Sequence, residues 1–158
     1  MGRRILHTGP IGSASVLKVV TNYLCTVHLA ALAEAFAVAK KAGMDMNTTY
    51  EAIRISSGNS FVHETESQVI LNGSRDINFT MDLVVKDVGL FDKLASVHKV
   101  PVEISPLVLS IFKDGQERWS ISESELANGW ERKQVEKVVK NSTLIIPCVA
   151  DTLSTQKQ

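Results

Sequence analysis

Cysteine is nearly absent. The 158 residues hold two, Cys25 and Cys148, too few and too far apart for a disulfide framework or a zinc site. A reducing, cytoplasmic setting is the expectation. Net charge is missing too: 17 basic residues balance 17 acidic ones, which leaves no electrostatic footprint for DNA, RNA or an anionic membrane. No unbroken apolar run approaches the ~18 residues that argue for a membrane span. Residues 29–39 come nearest, and Glu34 interrupts them. Arg3 and Arg4 are followed by no apolar h-region, so no signal peptide is read there. Period-two alternation and internal repeats are also lacking, and the Gly-rich turn at residues 9–13 has the wrong spacing for GxGxxG or a Walker A loop.

What is present is helix, with 44% hydrophobic and 22% charged residues, an ordinary composition for one globular domain. After a short extended piece at residues 3–8, Gly9-Pro10-Ile11-Gly12-Ser13 reads as a turn. A proline- and glycine-free segment follows, from about residue 15 to 42. It predicts one helix of about 45 Å, with Ser13 or Ser15 as its cap and Gly43 ending it. Val16, Val20, Tyr23 and Val27 form a core-like stripe. The alanine-rich second half lets neighbours approach, so this helix is expected to be central and covered on most sides.

Shorter helices are predicted over residues 48–55 (capped by Asp45 or Asn47), 61–71 (Ser60), 80–98 (Thr80, ended by Val100-Pro101) and 107–118, with Ser105-Pro106 as cap and first position. A further helix over 122–139 opens on a capping-box pattern, Ser122 and Glu125. The architecture is all-α: a long central helix wrapped by shorter ones.

Lys18 and Asn22 stand four residues apart and therefore share a helix face. An arbitrary lysine on an apolar helix usually snorkels to water. Here Ala14 and Ser15 leave space beside it, and the helix N-terminus favours a carboxylate-bearing ligand. Partial burial in such a place would favour the uncharged amine that proton transfer requires. His63 and Glu66, three apart, read as a solvated helix face rather than a metal pair, and no metal site is expected.

The run Gly9-Pro10-Ile11-Gly12-Ser13, then Lys18, then Asn22, resembles the second motif of the β-hydroxyacid dehydrogenases, which include 3-hydroxyisobutyrate dehydrogenase and, more distantly, 6-phosphogluconate dehydrogenase. The resemblance continues through Leu32-Ala33-Glu34-Ala35, Ala42-Gly43-Met44-Asp45, Ser57-Gly58-Asn59-Ser60-Phe61 and the stretch from Phe79-Thr80-Met81-Asp82 through Lys86-Asp87 to Leu90. It implies the helical C-terminal domain of that family and hydride transfer between NAD or NADP and a small β-hydroxy acid. By the same resemblance Lys18 is the general acid–base, Asn22 holds the substrate, and Gly12 and Ser13 approach its carboxylate. Lys86 reaches the cofactor side, and Asp87 beside it is structural. Phe61 lines the substrate pocket or a subunit contact, although on the residues alone it is a core aromatic.

The sequence departs from the pattern at Ala14, where the family usually has glycine, and beyond Phe112. It also holds no Rossmann half. The expected organisation is therefore an inter-domain remnant (residues 1–12), a helical substrate and oligomerisation domain (13–143) and a tail (144–158). Its partners would be the acid, a Rossmann domain that binds most of the cofactor, and further copies of itself. A stand-alone all-α dimerisation or interaction module without catalysis is the alternative.

Overall fold

In a computed structural model residues 5–72 and 79–119 are described. Among them lie five helices and no strand: α1 (Ser13–Lys41), α2 (Met46–Arg54), α3 (Phe61–Asn72), α4 (Met81–Val97) and α5 (Ile104–Trp119). The expected helix at residues 122–139 and the 144–158 tail lie outside the described residues.

α1 is the spine, as its length and apolar content predict, but its cap is not a serine. Gly12 occupies the N-cap position at φ +98° with no side-chain cap bond, a left-handed backbone that glycine adopts without strain. Ser13 is already the first helical residue, its N–H donating to the Pro10 carbonyl at 3.1 Å. At the far end Gly43, at φ +76°, donates to the Lys40 carbonyl, while Met44 N–H reaches back to Ala39 at 3.0 Å. That pair of bonds is a Schellman closure. α4 ends the same way, before Val100-Pro101 takes effect. Lys99 sits at φ +55°, and Val100 N–H bonds the Ala95 carbonyl at 2.9 Å.

Of the two candidate caps for α2, Asp45 serves, accepting from Thr48 N–H and from the Thr48 hydroxyl, each at 2.8 Å. Ser60 caps α3 by accepting from His63 N–H at 3.0 Å. Thr80 holds the N-cap position of α4 without a side-chain bond. α5 begins before its expected cap: Ser105 is helical and fully buried, its hydroxyl unpartnered among the described residues.

Two packed regions flank α1. Met81, Val84 and Val88 of α4 meet Val108 and Phe112 of α5 over Ala30, with Tyr23 and Val27 packed at the edge. Tyr23 stacks flat on Phe91, centroids 3.7 Å apart. Burial and the Asp92 carboxylate both raise the Tyr23 phenol above its ordinary pKa. Gly115 is a close-approach position, since a Cβ there would meet Met81 Cε at 2.6 Å. At the other end the rings of Phe36 and of His63 in α3 meet edge to face, centroids 6.0 Å apart.

His63 departs most from expectation. It is fully buried rather than solvated. Its Nε2 lies 3.0 Å from the Tyr50 carbonyl, and a carbonyl can only accept, so Nε2 donates. Nδ1 is left to accept from the Ser67 hydroxyl at 2.8 Å. A solvated face was expected because no further metal ligands lie nearby in sequence; the polar atoms that satisfy His63 come from α2 and the next turn of α3.

The expectation that α1 is covered on most sides also fails. Thr26, Leu29, Ala30, Leu32, Ala33 and Phe36 are buried, but Val16 is exposed and Val20, Tyr23 and Val27 are only half-buried. Taken whole, α1 is long and apolar enough to cross a membrane, which a search for an unbroken apolar run does not register. Here its buried face packs against the other helices, as a core helix does.

Candidate active site

Lys18 and Asn22 do share a face of α1, and that face meets α4. Asn22 Nδ2 donates to Asp87 Oδ2 at 2.6 Å. The other carboxylate oxygen lies 3.3 Å from Lys86 Nζ. Asp87 is buried while Lys86 is exposed, so the carboxylate is the fixed member and the ammonium the mobile one. Beside this bond opens a cavity of about 350 Å³, lined by Lys18, Val19 and Asn22 from α1, Lys86, Asp87 and Leu90 from α4, and Phe79. That volume lies at the small end of ligand sites, right for a small acid and too little for a dinucleotide.

Lys18 is exposed on this wall, so the partial burial expected for it is not found. Two turns along the helix from Lys18, the Cys25 thiol is raised above its ordinary pKa, first by burial and then by Glu66, with Lys18 opposing. It is therefore no thiolate nucleophile at neutral pH.

The remaining sequence candidates stand apart from this cavity. Gly12 and Ser13 form the start of α1, where Ser13 Oγ lies against Gly9, 3.1 Å from where a Cβ there would be. They leave an exposed, side-chain-uncapped helix N-terminus but do not line the cavity. Phe61, the first residue of α3, is 80% exposed and is neither a core aromatic nor a wall of this site. Four wall residues were not picked out from sequence as site residues: Val19, Phe79 and Leu90, and Asp87, read as structural. The signal for Phe79 is its place just before the α4 cap. For Asp87 it is a carboxylate next to Lys86 on the one face of α4 that must meet α1. Among the described residues no cluster of metal-ligating side chains occurs.

The arrangement offers a lysine, a carboxamide oriented by a buried carboxylate, and a second lysine around one small cavity. With one Asn22 N–H engaged, its Oδ1 and second N–H remain for a ligand. Such a set suits a small acid carrying a hydroxyl or carbonyl.

The family model described as the NAD-binding part of NADP-dependent 3-hydroxyisobutyrate dehydrogenase matches residues 12–124. The chain is 33% identical to 2-(hydroxymethyl)glutarate dehydrogenase of Eubacterium barkeri, over 73% of this chain and 39% of that protein. It is also 33% identical to NAD-dependent L-serine dehydrogenase of Pseudomonas aeruginosa, over 72% of this chain and 40% of that one. A crystal structure of 3-hydroxyisobutyrate dehydrogenase from Salmonella typhimurium superposes with a TM-score of 0.64 at 30% identity, covering 68% of this chain and 38% of that one.

These relatives are hydroxyacid dehydrogenases, oxidoreductases that use NAD or NADP. The chain belongs to the 3-hydroxyisobutyrate dehydrogenase family, and it spans about two fifths of the length of the curated relatives it matches.

Proposed function

We propose that this chain is the C-terminal, substrate-side helical half of an NAD(P)-dependent dehydrogenase acting on a small β-hydroxy acid such as 3-hydroxyisobutyrate. The observation that carries the reading is the convergence of Lys18, Asn22, Lys86 and Asp87 on one cavity, across two helices whose bonded residues Asn22 and Asp87 are 65 positions apart in sequence. The nicotinamide cofactor supplies hydride chemistry. The residues of this chain do the rest. Lys18 gives a proton to the nascent alkoxide oxygen during reduction and takes it from the hydroxyl during oxidation. Asn22, held by Asp87, orients that oxygen. Lys86 reaches towards the cofactor, whose bulk the 350 Å³ cavity does not accommodate; a Rossmann half would hold it.

The test is Lys18→Ala in the intact dehydrogenase, assayed against a panel of β-hydroxy acids. Loss of general acid–base catalysis lowers kcat by about 10²–10⁴-fold, with the cofactor dissociation constant essentially unchanged. Near-normal turnover in that variant would defeat the assignment.

A further inference from the structure

The end of α4 and the start of α5 leave an apolar groove open. Phe91, Leu94 and Ala95 of α4, with His98, Val100 and Val102 of the connection to α5, line a cavity of about 260 Å³. None of the six carries a formal charge at neutral pH with histidine neutral. The same stretch holds Val97, Val100, Ile104 and Leu107, each more than half exposed. Single exposed apolar residues are ordinary, but four of them between residues 97 and 107 make a patch that calls for a cover. The volume falls below the roughly 300–1,000 Å³ of small-molecule sites, and His98 is the one polar side chain among the walls. The groove suits the side chains of a polypeptide.

The chain itself carries a matching segment. Leu144-Ile145-Ile146-Pro147-Cys148-Val149 is its most apolar run after α5, and it is uncharged. It lies beyond residue 124, where the family match ends. Chain lengths bring it to the groove. α5 begins two residues after Val102 and leads about 24 Å away along α4. Its far half lies at the start of α4, where a Cβ on Gly115 would meet Met81 and Gln116 donates to Asp82. The helix that the sequence predicts over residues 122–139 is about 27 Å long at the usual rise. Laid antiparallel beside α5, it returns the chain to the groove, with Asn141-Ser142 to break it there. Pro147 disfavours helix at Ile146, and in an extended run Leu144, Ile146 and Cys148 share one face.

We infer that residues 144–149 dock in the α4–α5 groove of their own chain, with Leu144 and Ile146 against its apolar walls and Cys148 beside His98. The tail is then a strap that closes this end of the helical bundle. The groove shares no residue with the cavity at Lys18, so the inference does not depend on the proposed chemistry.

Disulfide capture in the full 158-residue chain tests it. In a Cys25→Ser background, His98→Cys puts one thiol on the groove wall and Cys148 supplies the other. Oxidation with copper–phenanthroline should cross-link them within one chain, read as a faster band on a non-reducing gel. A freely tethered tail reaches any surface site at an effective concentration in the millimolar range. Ala52→Cys measures that background, because Ala52 is exposed in a separate apolar cavity with Ala39 and Met44. Cross-linking at His98→Cys should be at least about tenfold faster than at Ala52→Cys. Adding Ile146→Asp should reduce it to the background rate while circular dichroism shows the helices intact. Equal rates at His98→Cys and Ala52→Cys overturn the inference. So does a cross-link that Ile146→Asp leaves unchanged, or one that joins two chains and so assigns the groove to a second copy.

Discussion

Replacing Asp87 with alanine separates the two bonds its carboxylate makes. The bond from Asn22 is short, at 2.6 Å, and joins two partly covered groups on different helices. A hydrogen bond to a charged group of this kind is worth about 1.5–3 kcal/mol net. The contact with Lys86 is longer, at 3.3 Å, and the lysine side chain is 58% exposed against 12% for the aspartate. Solvent screens such a pair to well under about 1 kcal/mol. Asp87→Ala should therefore cost about 2 kcal/mol, or about 4–8 °C in Tm for a chain of this length. Lys86→Met should cost less than about 0.5 kcal/mol. Asp87→Asn keeps an acceptor for the Asn22 amide and should fall between the two. Urea unfolding followed by circular dichroism measures all three. Equal losses in Asp87→Ala and Lys86→Met would refute the claim that the inter-helix bond dominates.

His63→Phe keeps an aromatic ring there but removes the bond to the Tyr50 carbonyl and strands the buried Ser67 hydroxyl; a loss of about 2 kcal/mol is expected in the same assay. Adding Ser67→Ala should recover part of it, and stability within about 0.5 kcal/mol of the parent for His63→Phe alone would contradict the buried network. The Asp45 carboxyl is held below its ordinary pKa, first by the Thr48 backbone N–H and then by the Thr48 hydroxyl. Its cap is thus at full strength above the unfolded value near 3.9 and is lost as pH falls through the lower folded one. Hydrogen-exchange protection at Thr48 should decline across that acid window, and in Asp45→Ser, a neutral cap, the pH dependence should vanish while the cap persists.

What the sequence disclosed and what it withheld divide along physical lines. Helix extents follow from local signals, so α1 to α5 match their predicted spans within a few residues, and Asp45 and Ser60 cap as their chemistry suggests. Lys18 and Asn22 share a face because four residues make about one turn, which needs no tertiary information. The α1–α4 docking is not local. It gave Asp87 its partner and brought Phe79 to the wall, and no spacing rule applied to one helix could supply either. His63 was misjudged for the same reason, because its two partners are a carbonyl of α2 and a hydroxyl one turn further along α3. Where a glycine rather than a serine stands at the N-cap, as at Gly12, side-chain capping rules point to the wrong residue. The left-handed backbone there follows from the Gly9–Gly12 turn as a unit.

The choice between half an active site and a packing module turns on how the Asn22–Asp87 bond is surrounded. A helix pair that exists only to pack would surround such a bond with apolar side chains rather than leave two lysines facing open space beside it. Here the bond borders an open cavity with a lysine on either side. Within the described residues, Lys18 on one wall and Lys86 on the other leave more positive than negative charge facing it, Asp87 being already engaged by Asn22 and Lys86. That imbalance lacks a structural purpose in this chain alone, and a bound carboxylate would restore the balance. Lys18→Met in the intact dehydrogenase should therefore weaken binding of a small hydroxy acid while leaving helical content unchanged, and unaltered binding in that variant would favour the packing module.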